Sequence, residues 1–274
     1  MSIKLAEFLP KFRSKNGSAI THTTMPDENK KGGGAYSIPT DMNDDFNDTY
    51  VVSVFGDGDS IVPVNDVHLN ETADPNRRSP LKADFDFRFV IDTMDEPKRR
   101  HTFEIILAVV KDYYDVLKEW IVLPFTEDQS LCFVFERPNA MYKDKSKNLV
   151  KDGIHLVWPF IVCPFSLQHK IREEMLVKLK QSGVFDCMQL TEPLEEVYDA
   201  GVIEGNWMMY GSCKPKHKPY ELTHILQYTI DEDDTEDIED IDIDRQQYTN
   251  AYLIRVLSMR DRCDSLATFQ LHKE

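Results

Sequence analysis

The segment LKADFDFRF (81–89) sets Asp84 and Asp86 one residue apart inside an aromatic run. Along a strand, residues i and i+2 share a face. Asp84, Asp86 and Arg88 therefore project together, while Phe85, Phe87 and Phe89 project the other way, into a core. Two carboxylates so placed repel each other unless a cation lies between them. Hard oxygen ligands of this kind suit Mg²⁺ or Mn²⁺. Two such ions about 3.5–4 Å apart can activate an attacking hydroxyl and stabilise a leaving phosphate. A solvated strand edge, with Arg88 neutralising one acid, accounts for the same residues. A third acid from elsewhere in the chain would favour the metal.

Two further stretches carry candidate chemistry. In KDGIHLVWPFIV (151–162), His155 faces away from the side carrying Ile154, Leu156 and Trp158. It follows Lys143, Lys145, Lys147 and Lys151, with Gly153 two residues before it. Lysine and histidine together can hold phosphate oxygens, although a lone strand histidine is also an ordinary surface or core group. The stretch from Asp199 to Leu222, DAGVIEGNWMMYGSCKPKHKPYEL, offers one acid at its head, then Ser212, Lys214, Lys216, His217 and Lys218 close together. A turn followed by a solvated basic loop explains that cluster equally, but it is a local exception in an acidic chain.

The elements that must position these residues are legible in outline. YVVSVF (50–55) reads as a strand closed by a GDGDS turn (56–60), after a polar lead-in over residues 1–49. Phe103, Ile106, Leu107, Val110, Tyr113, Tyr114, Leu117 and Trp120 recur at helical spacing, which predicts an amphipathic helix over His101–Trp120. Strands are expected at 130–136, 154–162, 222–230 and 248–258, with a basic loop over 141–153. Ser166 is the expected cap of a helix over Leu167–Ser182 stopped by Gly183, and Pro193 suits the first turn of a short helix ending near Asp199. The fold class is α+β, with strands and helices interspersed and no internal repeat.

With 274 residues, 41% hydrophobic and 29% charged, the chain is long enough for one large domain or two small ones. No apolar run reaches the length of a membrane span, and the first residues lack the pattern of a secretory signal. Five scattered cysteines (Cys132, Cys163, Cys187, Cys213, Cys263), with no CxxC pair, suit reduced thiols in an intracellular compartment. The formal charge of −16 mostly reports Asp231–Asp244, DEDDTEDIEDIDID, which holds ten acids and no base. That run is expected to be a loop insertion, 231–244, in a single bilobal domain spanning 1–274.

Taken in order, the D-x-D strand, the basic residue and histidine on a strand, and the lone Asp leading to a serine–lysine turn resemble the archaeo-eukaryotic primase superfamily. The likeness is greatest to the N-terminal primase domains of primase–helicases from large nucleocytoplasmic DNA viruses, with PrimPol enzymes as more distant kin. YGSCKPKHKPYEL (210–222) is similar to the Tyr-Gly-Ser-x-Lys turn and following His-Lys-Pro-Tyr of those domains, and GIHLVWP (153–159) to their glycine–histidine strand. The likeness spans roughly residues 20–230.

The resemblance implies a primase catalytic fold with an RRM-like sheet carrying the acidic motifs. It makes Asp84, Asp86 and Asp199 the ligands of divalent Mg²⁺ or Mn²⁺. Lys151, His155, Ser212 and Lys214 become contacts of an incoming NTP or dNTP. Single-stranded DNA is the implied template, and a fused or associated helicase domain the implied partner; no membrane is involved. Two positions depart from the pattern. Gly153 stands where a serine often precedes the histidine, and Met208 and Met209 stand where PrimPol-like relatives carry an arginine, so that its contacts fall elsewhere, with Lys216 and Lys218 as candidates. No Walker loop is present, so a helicase would lie outside these residues. Template-directed nucleotidyl transfer is the expected reaction. A metal-dependent nuclease and a decayed nucleic-acid-binding module are the rivals. Three uncompensated acids further predict that the metal-free site repels nucleotide.

Overall fold

The computed structural model describes residues 3–260 except 16–17, 27–32, 57–59, 61, 93–95, 122–127, 232, 234 and 245. Most of the GDGDS turn, and Cys263, lie outside the described residues. In chain order the elements are α1 (Ile3–Phe8), β1 (His22–Thr24), β2 (Ala35–Tyr36), α2 (Asn43–Phe55), β3 (Leu69–Glu71) and β4 (Arg78–Val90). Next come α3 (Phe103–Trp120), β5 (Leu131–Glu136), β6 (Met141–Asp144), β7 (Leu149–Pro164) and α4 (Phe165–Ser182). The chain continues with α5 (Leu194–Val197), α6 (Gly201–Glu204), β8 (Trp207–Met208), β9 (Glu221–Ile230), β10 (Glu236–Ile241) and α7 (Asn250–Val256). The mixed α+β class expected from the sequence is the class observed. None of the described helices is long and apolar enough to cross a membrane.

Two compact units share the chain. One comprises Met1–Ser79, Glu204–Glu221 and Ile243–Ser265; the other comprises Pro80–Ile203, Leu222–Asp242 and Leu266–Glu274. The second unit is built on a six-stranded sheet in the order β10-β9-β5-β7-β4, with β6 also pairing β7. Its long strand β4 alternates as the D-x-D pattern requires: Phe85, Phe87 and Phe89 are fully buried, whereas Asp84, Asp86 and Arg88 are half-buried. Phe85 and Phe87 join Cys132, Val134, Ile154, Leu156 and Trp158 in one core cluster with the inner faces of α3 and α4. Fully burying each such aromatic contributes roughly 1.5–3 kcal/mol, so the phenylalanines fix which face the aspartates present. Gly183 ends α4 in the left-handed conformation, φ 62°, as expected from the sequence.

The first unit carries a four-stranded sheet, β2-β1-β3-β8. Its core gathers Leu5, Phe46, Tyr50, Val54, Phe55, Leu69, Met209 and Ile254. Here the structure corrects the sequence reading. YVVSVF is not a strand but the second half of α2, and 248–258 is not a strand but contains α7. The β-branched valines favour strand locally. However, Phe46, Tyr50 and Val54 lie four apart across the assumed boundary, so only a helix buries all three. In α7, Thr249 supplies the cap, its hydroxyl accepting from the Tyr252 N–H at 3.2 Å.

Four smaller differences from the sequence reading remain. The polar lead-in, which by sequence reads as a loop leading into extended structure, holds not only β1 and β2 but also α1 and the start of α2. Ser166 does not cap α4, because the helix begins one residue earlier, after Pro164. The basic stretch 141–153 is a hairpin, β6 pairing antiparallel with the start of β7 through a turn in which Asn148 takes φ 50°. The acidic run is not all loop either: Glu236–Ile241 forms β10, antiparallel to β9 from Glu236↔Ile230 to Ile241↔Ile225.

Candidate active site

Asp84 and Asp86 stand on the face of β4 turned away from α3 and α4. The third acid reaches them by a short backbone contact. Phe85 and Tyr198 form an antiparallel bridge, their rings stacked 4.7 Å apart on the core side. That register puts Asp199 across from Asp84, on the opposite face from the rings. The Asp199 N–H donates to the Asp84 carbonyl at 2.9 Å. The bend is anchored from α4, where Arg172 donates to the Tyr198 carbonyl at 2.6 Å and to the Glu195 carbonyl at 2.8 Å, and lies over the Tyr198 ring. Asp199 is exposed, and one of its carboxylate oxygens accepts from the Gly201 N–H at 2.7 Å, an Asx turn that orients the carboxylate. Lys82, two residues before Asp84 and buried, donates to the Ile203 carbonyl at 3.5 Å and so ties β4 to the segment after Asp199.

β7 completes this face. The β5–β7 register pairs Phe135 with His155 and Glu136 with Ile154. His155 therefore faces the aspartates, its Nε2 3.4 Å from Asp84 Oδ1. Lys151, two turns of the pleat earlier on the same face, does not stand open. Its ammonium pairs with Asp86 at 2.8 Å. Arg137, which sequence reasoning missed, reaches the other oxygen of Asp86 at 3.5 Å.

The charge pattern is thus asymmetric. Asp86 has two cationic neighbours, whereas Asp84 Oδ1 is buried and, with His155 Nε2 3.4 Å away, has no hydrogen-bond partner among the described residues. A buried carboxylate oxygen left in this state is costly unless a cation or donor meets it. Asp84, Asp86 and Asp199 are all hard oxygen donors, the set that could hold Mg²⁺ or Mn²⁺. Among the described residues, no three His, Cys, Asp or Glu side chains form a ready-made metal cage. Mg²⁺ is commonly held by one or two carboxylates plus substrate phosphates, and an open edge with one orphaned oxygen fits that mode.

Behind the face lies a second charged group that sequence reasoning missed entirely. His101, 3% exposed, donates from Nε2 to Glu136 at 2.8 Å and places Nδ1 3.3 Å from Asp152, which is fully buried. Arg99 bridges the same two acids, at 2.5 Å to Glu136 and 3.4 Å to Asp152. Burial works against the charge on His101, but its hydrogen bonds to Asp152 and Glu136 outweigh it and raise the pKa above 6.5. Burial alone would raise Glu136; hydrogen bonds from His101 and Thr223, with Arg99 beside it, lower it instead to about 2. Asp152 lies between Lys151 and Gly153, and Glu136 immediately precedes Arg137, so this group pins the strand ends that carry the cations of the open face. Its members come from three segments, and no local spacing announces them.

Ser212 and Lys214 belong to the first unit. Ser212 is 4% exposed, and its hydroxyl is shared between the Tyr50 hydroxyl at 2.8 Å and the Leu69 N–H at 3.2 Å. Lys214 is exposed. The turn before them depends on Gly211, at φ 81°, where an added Cβ would come within 2.7 Å of the Phe55 ring.

The family model described as the C962R protein N-terminal AEP domain matches residues 21–226. L207/L206 of Acanthamoeba polyphaga mimivirus, named as a helicase, is 29% identical over 229 residues, covering 81% of this chain and 22% of that protein. 184R of Invertebrate iridescent virus 6, likewise named as a helicase, is 22% identical over 226 residues, covering 77% of this chain and 22% of that protein. The chain therefore spans about a fifth of the length of these relatives.

Proposed function

Because the chain belongs to the family of the C962R protein N-terminal AEP domain, a primase-type domain, we propose that it catalyses template-directed nucleotidyl transfer. With single-stranded DNA as template, the 3′-hydroxyl of the growing strand, or the hydroxyl of a first nucleotide, attacks the α-phosphate of an NTP or dNTP and pyrophosphate leaves. The observation that carries this reading is the pairing of Asp199 with Asp84 across the Phe85–Tyr198 bridge. It gathers three acids from distant parts of the chain onto one open face.

Asp84, Asp86 and Asp199 are the residues that would hold Mg²⁺ or Mn²⁺. Bound there, such ions lower the pKa of the attacking hydroxyl and neutralise the triphosphate. The chain's own groups do the rest. His155, beside Asp84, donates to a phosphate oxygen; Lys151 supplies a charge to the same triphosphate when it leaves Asp86. Ser212, its hydroxyl engaged within the core, shapes the turn, and exposed Lys214 is the member of that turn with a side chain open to phosphate. Since the matched relatives are several times longer and are named as helicases, we place the domain beside a helicase segment of the same polypeptide.

Labelled single-stranded template incubated with Mn²⁺, with and without nucleotides, tests the reading. New strands that require nucleotides and vanish in Asp84→Asn support it. Template shortened without nucleotide would instead assign a nuclease, and DNA binding with neither product would assign a binding module.

A further inference from the structure

The three acids are not uncompensated, which removes the premise on which nucleotide repulsion by the metal-free face is expected. Asp84, Asp86 and Asp199 share their face with Lys151 and Arg137, both directed at Asp86. Two fixed cations offset most of three carboxylates before any ion arrives.

We infer that Arg137 is a substrate-contacting residue, which with Lys151 gives the face a divalent-independent affinity for the triphosphate of a nucleotide. The inference rests on the nucleotidyl-transfer reading and assigns it a residue that the sequence motifs omit. The register argues for it. Phe135 pairs with His155 and Glu136 with Ile154, and the Arg137 N–H continues the ladder to the Gly153 carbonyl at 3.2 Å. Arg137 thus projects on the same face as Lys151 and His155. The residue across from it, Gly153, has no side chain to obstruct a guanidinium lying over the strand. The glycine that replaces the usual serine at this position therefore leaves room for Arg137.

The main chain of Arg137 is fixed on both sides, since its carbonyl also accepts from Arg99, itself held by Glu136 and Asp152. Its side chain is only 11% exposed. A guanidinium already ordered loses little entropy on meeting a phosphate, and its planar fork suits two phosphate oxygens. In the free protein Asp86 occupies it. A triphosphate, carrying more negative charge than one carboxylate, competes with Asp86 for Arg137 and Lys151 and needs no divalent ion to do so.

The test is equilibrium binding of a fluorescent ATP or dATP to the full chain, in EDTA and in Mn²⁺, with inorganic triphosphate as competitor. Wild type should bind in EDTA, with triphosphate competing and rising salt weakening the complex. Arg137→Ala should lose about tenfold or more of that affinity, the size expected for one charged hydrogen-bonding partner, and Arg137→Lys should recover part of it. Circular dichroism and melting show that both variants are folded. Binding in Mn²⁺ with none in EDTA, or EDTA affinity unchanged in folded Arg137→Ala, overturns this inference and leaves nucleotidyl transfer standing. Absence of nucleotide binding under both conditions overturns the functional reading itself.

Discussion

The main-chain N–H of Asp199 donates to the carbonyl of Asp84 at 2.9 Å, and one residue along, Phe85 and Tyr198 stack at 4.7 Å. The acidic face and the hydrophobic core are thus two sides of the same bridge. Disturbing the aromatic side should move the third carboxylate.

Phe85→Ala is expected to cost about 3–5 kcal/mol, the range for deleting a fully buried aromatic. It should also lower Mn²⁺ affinity, because Asp199 loses its register. Urea denaturation and a Mn²⁺ titration of the folded variant measure the two effects. A destabilised variant with unchanged Mn²⁺ affinity would separate the bridge from the site.

Asp84→Asn should behave oppositely. It removes a charge whose Oδ1 is buried without a hydrogen-bond partner among the described residues, so melting temperature without metal should hold or rise. The melting shift produced by Mn²⁺ should shrink, since a ligand that binds the native state raises its stability. Strand synthesis should fall by more than about 100-fold, exceeding the effect of losing a group outside the ligand shell.

The buried group around His101 predicts a stability optimum in mildly acidic solution. Glu136 is lowered from 4.5 to about 2, so its contribution is present above pH 4.5 and is lost as pH falls toward 2. His101 is raised above 6.5, so its contribution is present below pH 6.5 and is lost as pH rises through the folded value. Between these limits both act together. Melting temperatures across pH 3–9 should show both limbs; Glu136→Gln should flatten the acidic one and His101→Gln the alkaline one. A wild-type profile without either limb would contradict the assignment.

Gly211→Ala tests the turn that carries Ser212. At φ 81°, with 2.7 Å to the Phe55 ring and 2.8 Å to Val54 Cγ1, any Cβ is strained by backbone and by neighbours. A loss of more than about 1 kcal/mol is expected, beyond the gain that Gly→Ala brings at compatible sites. Chemical denaturation reads it directly, and a neutral result would show that the turn relaxes freely.

Several features were determined by the sequence alone. The Asp84/Asp86 strand, the amphipathic helix before Trp120 and the strand of His155 follow from periodicities confined to a few adjacent residues, and a period of two or of three to four needs no tertiary partner to be recognised. Their ordered recurrence with Asp199 and the Ser212 turn also pointed to the primase superfamily. Tertiary structure alone decided the rest. Val51, Val52 and Val54 favour strand by themselves and become helix because Phe46, Tyr50 and Val54 share one core. The acidic run becomes partly strand because β9 offers it an edge. Arg99, Glu136 and Asp152 meet at His101, and Arg137 and Lys151 meet at Asp86, through strand register. Register joins residues far apart in the chain, and the free energy that selects it belongs to the packed sheet and its helices, so no local stretch of residues encodes it.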